Sequence, residues 1–228
     1  MDEGRGNFTM VGREKFDADL NQVQSLLLEL SNAAIDMLDN SMNFLFDKDI
    51  EGAIGILDND EQINRLEEEV NDRVILLIAK QQPVATDLRR LMVLVKIAAD
   101  MERIGDYACN IAKETIRIGK DEHIESIGLL DEMRVKTIAM LKQVLEAFTN
   151  ENMEEAKIIA KLDDEVDEMY GHIIRTLLNT GVNNPARLSQ VTQLSFVCRY
   201  LERSADHATN IAERLLYLLK GKHYELNN

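Results

Sequence analysis

The stretch "ERIGDYACNIA", residues 102–112, returns one hundred residues later as "ERSADHATNIA", residues 202–212. Seven of the eleven positions are identical: Glu, Arg, Asp, Ala, Asn, Ile and Ala. On a helix turning about 100° per residue, with Glu102 at zero, Asp106 falls near 40° and Asn110 near 80°. Ile104, Ala108, Ile111 and Ala112 fall on the other side, between about 180° and 280°. Glu102, Asp106 and Asn110 thus form an oxygen-bearing ridge opposite an apolar face. Glu202, Asp206 and Asn210 repeat it. Just upstream, "LMVLVKIAA", residues 91–99, is apolar almost all round. Val95 and Ala99 share the ridge with Glu102, so the acids are expected to begin where a buried stretch ends.

Outward from this pair, the whole chain divides into two similar halves. From about Phe16 the spacing of Leu20, Val23, Leu27, Leu30, Ala34, Met37, Leu38 and Leu45 predicts a first helix. Residues before it are expected to be loose. A break is expected at "FDKDIEG", 46–52, and then a helix to about Lys80 with Ile63, Leu66, Val70, Val74 and Leu77 on one face. Pro83 ends it, because proline cannot continue a helix but fits the first turn of the next. A third helix follows, from about Ala85 to Ile118. The second half repeats the plan: a helix at 129–148, a turn "NEN" at 150–152, and a helix carrying Val166, Met169, Ile173 and Leu177. A second proline turn at "NTGVNNPARL", 179–188, leads into a last helix to about Leu219. The expected architecture is all-α, two tandem three-helix bundles related by pseudo-twofold symmetry, the first over 16–120 and the second over 125–220.

Composition narrows the function. The net charge of −15 repels phosphate backbones and anionic lipid, so nucleic-acid binding and membrane-surface binding are disfavoured. It suits metal cations or a basic patch on a protein partner. No apolar run approaches the roughly 20 residues that span a bilayer, and no signal peptide is visible, so a cytoplasmic protein without direct membrane insertion is expected. Cys109 and Cys198 lie inside apolar helical patterns with no CxxC and are expected to be buried thiols in a reducing cytosol, with a disulfide between them as the alternative. Met10, Met37, Met42, Met92 and Met101 are expected in the core. Arg89 and Arg90 are expected to be solvated helix charges.

Aligning "IN" at 63–64 with "VD" at 166–167 pairs Asp60 with Asp163 and Asn64 with Asp167. If the second and third helices of each half are antiparallel neighbours, their ridges can face each other. Asp60, Asn64, Glu102 and Asp106 would then meet in one half, and Asp163, Asp167, Glu202 and Asp206 in the other. Oxygen clusters of this kind suit Mg²⁺, Mn²⁺, iron or Zn²⁺. Arg103 and Arg203 offer a competing counter-charge for the same acids, and solvated surface acids are a third reading. A carboxylate-bridged metalloenzyme would use Glu-x-x-His pairs. None of His123, His172, His207 and His223 has Glu three residues before it. His207 points about 100° away from Asp206, towards a supporting or surface role. A metal-free helical scaffold is the remaining alternative. No GxGxxG, GxxxxGK[ST] or serine nucleophile elbow is present.

The segments "QQPVATDLRRLMVLVKIAADMERIGDYACNIAK" and "CRYLERSADHATNIAE" resemble the two signature helices of the PhoU family of bacterial phosphate-uptake regulators. The likeness covers about residues 16 to 220, both proline turns included. It implies two PhoU-type bundles with multinuclear metal sites, often iron or zinc, on paired E(D)xxxD motifs. Those motifs match Glu102 with Asp106, Glu202 with Asp206 and Asp163 with Asp167. At the fourth place Asn64 stands where the pattern has an acid after Asp60, which implies a weaker or smaller first cluster. Asn110, Asn210, Arg103 and Arg203 would stand behind the ligands. The resemblance further implies a non-enzymatic cytoplasmic adaptor, commonly a homodimer. It would link the Pst phosphate ABC transporter, through its ATPase, to the PhoR sensor kinase and repress the phosphate-starvation response.

Overall fold

The computed structural model describes residues 3–226, with side chains from residue 13 onward. Six long helices and one short turn of 3₁₀ helix account for nearly all of it. They are α1 (Glu3–Asp47), α2 (Ile50–Gln81), α3 (Thr86–Ile118), α4 (Ile127–Thr149), α5 (Met153–Asn183) and α6 (Leu188–Lys220), with the 3₁₀ turn at Pro185–Arg187. α1, α2 and α3 pack into one bundle, and α4, α5 and α6 into a second.

The bundles join through α3 against α6 and α1 against α4. Among the described residues α2 touches only α1 and α3, and α5 packs only against α4, α6 and the 3₁₀ turn. The helices therefore lie in two layers. α2, α3, α6 and α5 stand side by side in one, and α1 and α4 back them. Asp100 of α3 meets His207 and Arg214 of α6, while Tyr107 of α3 meets Tyr200, so α3 and α6 run antiparallel. Arg134 of α4 ties the backing layer by donating to Asp39 at 2.9 Å and Asn43 at 2.6 Å on α1.

The apolar spacing buries as expected. Leu20, Val23, Leu27, Leu30, Ala34, Met37, Leu38 and Leu45 line the core side of α1, and Ile63, Leu66, Val70, Val74 and Leu77 that of α2. Val166, Ile173 and Leu177 do the same on α5, with Met169 partly buried against them. Helix ends repeat between halves too. Asp49 accepts from the Gly52 N–H at 2.9 Å, and Asn152, 103 positions on, accepts from Glu154 and Glu155 at the start of α5.

Four expectations need correction. The helix does not begin near Phe16 but at Glu3: no proline or glycine pair interrupts the run. Arg13 also anchors it, pairing with Asp17 one turn on and reaching Asp87 of α3 at 2.6 Å. Residues 1–2 and the side chain of Met10 lie outside what is described. The break at 46–52 shrinks to Lys48 and Asp49, because the Asp49 cap starts α2 at once. Met92 is 44% exposed, although Met37, Met42 and Met101 are buried. Ala99 is exposed and Val95 only partly buried. α3 is apolar nearly all round because it packs on α1, α2 and α6 together, which leaves one narrow outward stripe through Met92, Ala99 and Glu102. The ridge acids thus continue an open stripe and do not emerge from a buried one.

Candidate functional site

α2 and α3 run antiparallel, as Gly105 lying against Ile63 and Cys109 against Ile56 require. That geometry brings the two first-half ridges together. Asn64 donates to Asp60 at 3.4 Å along α2, and the Cys109 thiol donates across to Asp60 Oδ1 at 3.4 Å. Burial pushes the Glu102 carboxyl above its ordinary value, and Asp106, Glu67 and Asp60 push it further in the same direction. Arg103 pulls it back. The first groove is lined by Asp60, Asn64, Glu102 and Asp106, together with Glu67 and Cys109, which the motif spacing passes over.

The second groove, between α5 and α6, is built alike. Glu202 is pushed up to about 7, by burial first and then by Asp206 and Asp167. Asp167 is raised in turn by burial, Asp206 and Asp164. Asp163 is 3% exposed, so it lies deeper than the edge of the apolar stripe. At the place of Glu67 this half has Tyr170, and at the place of Cys109 it has Thr209.

The two arginines do pair with the ridges. Arg103 reaches Asp106 at 3.0 Å and Glu102 at 3.6 Å, and Arg203 reaches Asp206 at 3.2 Å. Both stand at the surface, with side chains 60% and 50% exposed, so water screens what they contribute. They leave Glu102 and Glu202 raised. Asn110 accepts from Lys113 at 3.4 Å, and Asn210 is half-buried. Among the described residues no three His, Cys, Asp or Glu side chains converge on one point. Carboxylates sharing a groove without a counter-cation repel, and side-chain rotation would be needed to gather them on an ion.

Between the grooves, the α3–α6 seam carries a polar cluster that sequence analysis missed. Asp100, side chain 6% exposed, accepts from Arg214 Nε at 2.7 Å and Nη2 at 3.1 Å, and meets His207 Nδ1 at 3.0 Å. The other ring nitrogen of His207 lies 3.4 Å from the Tyr107 hydroxyl, and Tyr107 stacks on Tyr200 with ring centres 5.9 Å apart. His207 is therefore a seam residue. Arg89 and Arg90 are not free charges either. Arg89 lies over the Tyr217 ring, and Arg90 pairs with Glu151 at 2.6 Å. Cys109 and Cys198 are buried, unbridged thiols. No helix is long and apolar enough to cross a membrane among the described residues.

Comparison with known proteins agrees with the duplicated geometry. A family model described as the PhoU domain matches twice, over residues 27–115 and 130–215. A phosphate-specific transport system accessory protein PhoU homolog from Clostridium acetobutylicum is 37% identical over 217 residues, covering 95% of this chain and 99% of the relative. The Escherichia coli accessory protein PhoU is 29% identical, over 92% of this chain and 87% of its own. The crystal structure of PhoU from Pseudomonas aeruginosa superposes with a TM-score of 0.87 at 31% identity, over 91% of this chain and all of that one. The phosphate transport system regulatory protein PhoU from Streptococcus pneumoniae gives 0.86 at 27% identity, over 92% of this chain and 99% of its own.

Proposed function

This chain belongs to the PhoU family, and from that membership we propose that it is a non-enzymatic, cytoplasmic regulator of phosphate uptake whose two acidic grooves hold metal ions. Each bundle, 16–120 and 125–220, would carry one groove. In this reading the protein acts as a homodimeric adaptor between the Pst transporter ATPase and a PhoR-type sensor kinase, repressing the starvation response when phosphate is plentiful. The relatives' names, accessory and regulatory proteins of phosphate transport, support the regulatory part.

The observation that carries the metal part is the electrostatic state of the ridges. Glu202 is raised to about 7 by burial, Asp206 and Asp167 even with Arg203 at hand, and Glu102 is raised by burial, Asp106, Glu67 and Asp60 against Arg103. Duplicated carboxylates that remain mutually repulsive beside their arginines form a donor set suited to a cation. Asp60, Asn64, Glu102 and Asp106 would hold ions in the first groove, and Asp163, Asp167, Glu202 and Asp206 in the second. Iron or zinc fits these sets, as do Mg²⁺ and Mn²⁺. The ion would supply the missing counter-charge and fasten α2 to α3 and α5 to α6. The chain's own part is to hold the two ridges opposite each other on rigid helices.

Elemental analysis of the native protein tests this directly. We expect bound transition metal, and its loss in Asp106→Ala combined with Asp206→Ala while the far-ultraviolet dichroism stays helical. Less than about 0.1 metal per chain after incubation with iron or zinc and desalting would remove the metal reading. The adaptor role predicts that cells lacking this protein express phosphate-uptake genes at high level in rich phosphate. Normal repression there would count against it.

A further inference from the structure

We propose that the end of the α5–α6 groove beside the second proline turn is a docking surface for an acidic, apolar segment of a partner protein. Arg175 and Arg199 would grip its carboxylates, and Leu178, Val182 and Leu188 its apolar side chains. This deepens the adaptor reading above by naming the chemistry of one partner. It rests on that reading for there being a partner and does not use the metal reading.

The charge of this end is the reverse of the chain's. The chain has 41 Asp and Glu and a net charge of −15, yet residues 169–201 contain no acid. They carry Arg175, Arg187 and Arg199 and no lysine. Arg187 is engaged, donating to the Glu122 carbonyl at 2.9 Å. The loop that holds Glu122 reaches α6 from its buried side, where Gln190 accepts from the Ile124 N–H. Arg175 and Arg199 are exposed and form no ion pair among the described residues, whereas Arg103, Arg203 and Arg214 each reach a carboxylate. Arg199 tempers Glu202, three residues on, less than Arg203 does.

The five side chains share one strip of surface. Gly181 of α5 lies against Leu188 and Val191 of α6, which fixes the register of these antiparallel helices. Six residues along from Gly181 and Val191, Arg175 stands level with Val197, and Arg199 is two residues, about 3 Å, beyond. With Asp163 at zero, Leu178, Val182 and Arg175 fall near 60°, 100° and 120° on α5. With Glu202 at zero, Leu188 and Arg199 fall near 40° and 60° on α6. All five continue the outward stripes that carry the acids. Leu178, Val182 and Leu188 are 56%, 79% and 55% exposed. Exposed apolar groups rimmed by polar ones mark contact sites. Unpaired guanidinium forks suit the two oxygens of a carboxylate, whereas an anionic bilayer is met as well by lysine. The first bundle supplies the contrast. Ile75 and Leu88, at the places of Leu178 and Leu188, are exposed too, but Asp72 and Ala99 stand where the arginines would be.

Fluorescence anisotropy with the full-length protein tests this. The probe is a labelled synthetic helix with Leu along one face and Glu on its flanks, and its twin has Gln for every Glu. We expect the acidic probe to bind with a Kd below about 1 mM, and more weakly as salt is added. The twin should bind about tenfold more weakly. Arg175→Gln combined with Arg199→Gln should cost the acidic probe about tenfold as well. Leu178→Ser should weaken it, whereas Ile75→Ser in the first bundle should leave it unchanged. No binding of the acidic probe by about 1 mM, or equal binding to the double arginine variant, would overturn the inference. Arginine-dependent pelleting with phosphatidylglycerol vesicles while the probe stays free would overturn it in favour of lipid. An arginine-dependent dimer in sedimentation, with the probe free, would overturn it in favour of a second copy. None of these readouts involves repression, so their failure leaves the adaptor reading standing. Normal repression in cells lacking the protein would remove that reading and leave the binding untouched.

Discussion

Gly105 on α3 lies against Ile63 of α2, whereas at the matching places of the second half Ala205 stands on α6 and Val166 on α5. A methyl group has in effect moved across the helix–helix contact. The two halves preserve the space between their second and third helices while differing in which helix fills it. At the seam the contrast is larger. The pseudo-twofold relation equates Asp100 with Tyr200, Tyr107 with His207 and Glu114 with Arg214. One side of the seam is a satisfied ion pair, Asp100 with Arg214 and His207. The other side sets Tyr200 near the buried Glu114. Packing tolerates little variation, because close-packed interiors register single methyl groups. Polar pairing is free to differ, provided that each buried charge keeps a partner.

Asp100→Ala should break this contrast most severely. It would leave Arg214, 26% exposed, and His207 facing an empty place in the seam. Removing one member of a buried pair costs about 3 kcal/mol or more. Tyr200→Phe, at the matching place, removes only a hydroxyl and should cost less than about 1.5 kcal/mol. Urea unfolding of both variants measures the difference. Equal losses would mean that the two sides of the seam are energetically alike.

The exchange across α2 and α3 should be the next largest effect. A Cβ at Gly105 would meet Ile63 Cγ2 at 3.0 Å. Gly105→Ala gains about 1 kcal/mol of helix propensity but forces Ile63 to move, at a cost of about 1–3 kcal/mol. Ile63→Val alone should cost about 1 kcal/mol. Together they recreate the second half's pair of Ala205 and Val166. The double variant should be more stable than the sum of the single changes predicts, by about 1 kcal/mol. Additivity to within about 0.3 kcal/mol would show that the exchange is coincidental. Ala205→Gly should cost about 1 kcal/mol, from helix propensity.

These contrasts also explain what sequence could and could not show. Helix number, helix order and both proline turns follow from local spacing, which needs no knowledge of the partner helix. The ridge residues of α3 and α6 were legible because they recur identically, and those of α2 and α5 because they keep one spacing, with Asn64 standing against Asp167. That same filter hid Glu67, whose counterpart is Tyr170 and which sits three residues after Asn64, not four. Cys109 was hidden for a similar reason, since its counterpart is Thr209. Asp100, His207 and Arg214 were invisible because their meeting depends on how α3 crosses α6. Their counterparts, Tyr200, Tyr107 and Glu114, differ in chemistry. Repetition marks what the two halves share, whereas the seam is made of what they do not share.

Glu114 gives the smallest effect and the most pointed one. Its side chain is 3% exposed, one oxygen accepts from Arg117 at 2.5 Å, and the other has no partner among the described residues. Burial holds its carboxyl above the ordinary value of 4.5, although Arg117 on the same helix pulls it down. Tyr200, facing it from α6, is raised by burial and by Glu114, with Arg117 and Arg199 opposing. A carboxyl whose folded pKa is raised binds its proton more tightly in the folded state. Its burial penalty is therefore present in full at neutral pH, and it is relieved as pH falls through the raised value towards about 4.5. Glu114→Gln should remove that acid-side gain and raise stability at pH 7 by about 0.5 kcal/mol, since the amide carries no charge to desolvate. The same change at the matching place, Arg214→Gln, takes the partner from Asp100 and should lower stability at pH 7. Two glutamines at positions related by the pseudo-twofold would then act in opposite directions. If thermal melts between pH 4.5 and 7.5 show both variants destabilised to the same extent, with unchanged pH slopes, the polar asymmetry of the seam has no energetic content.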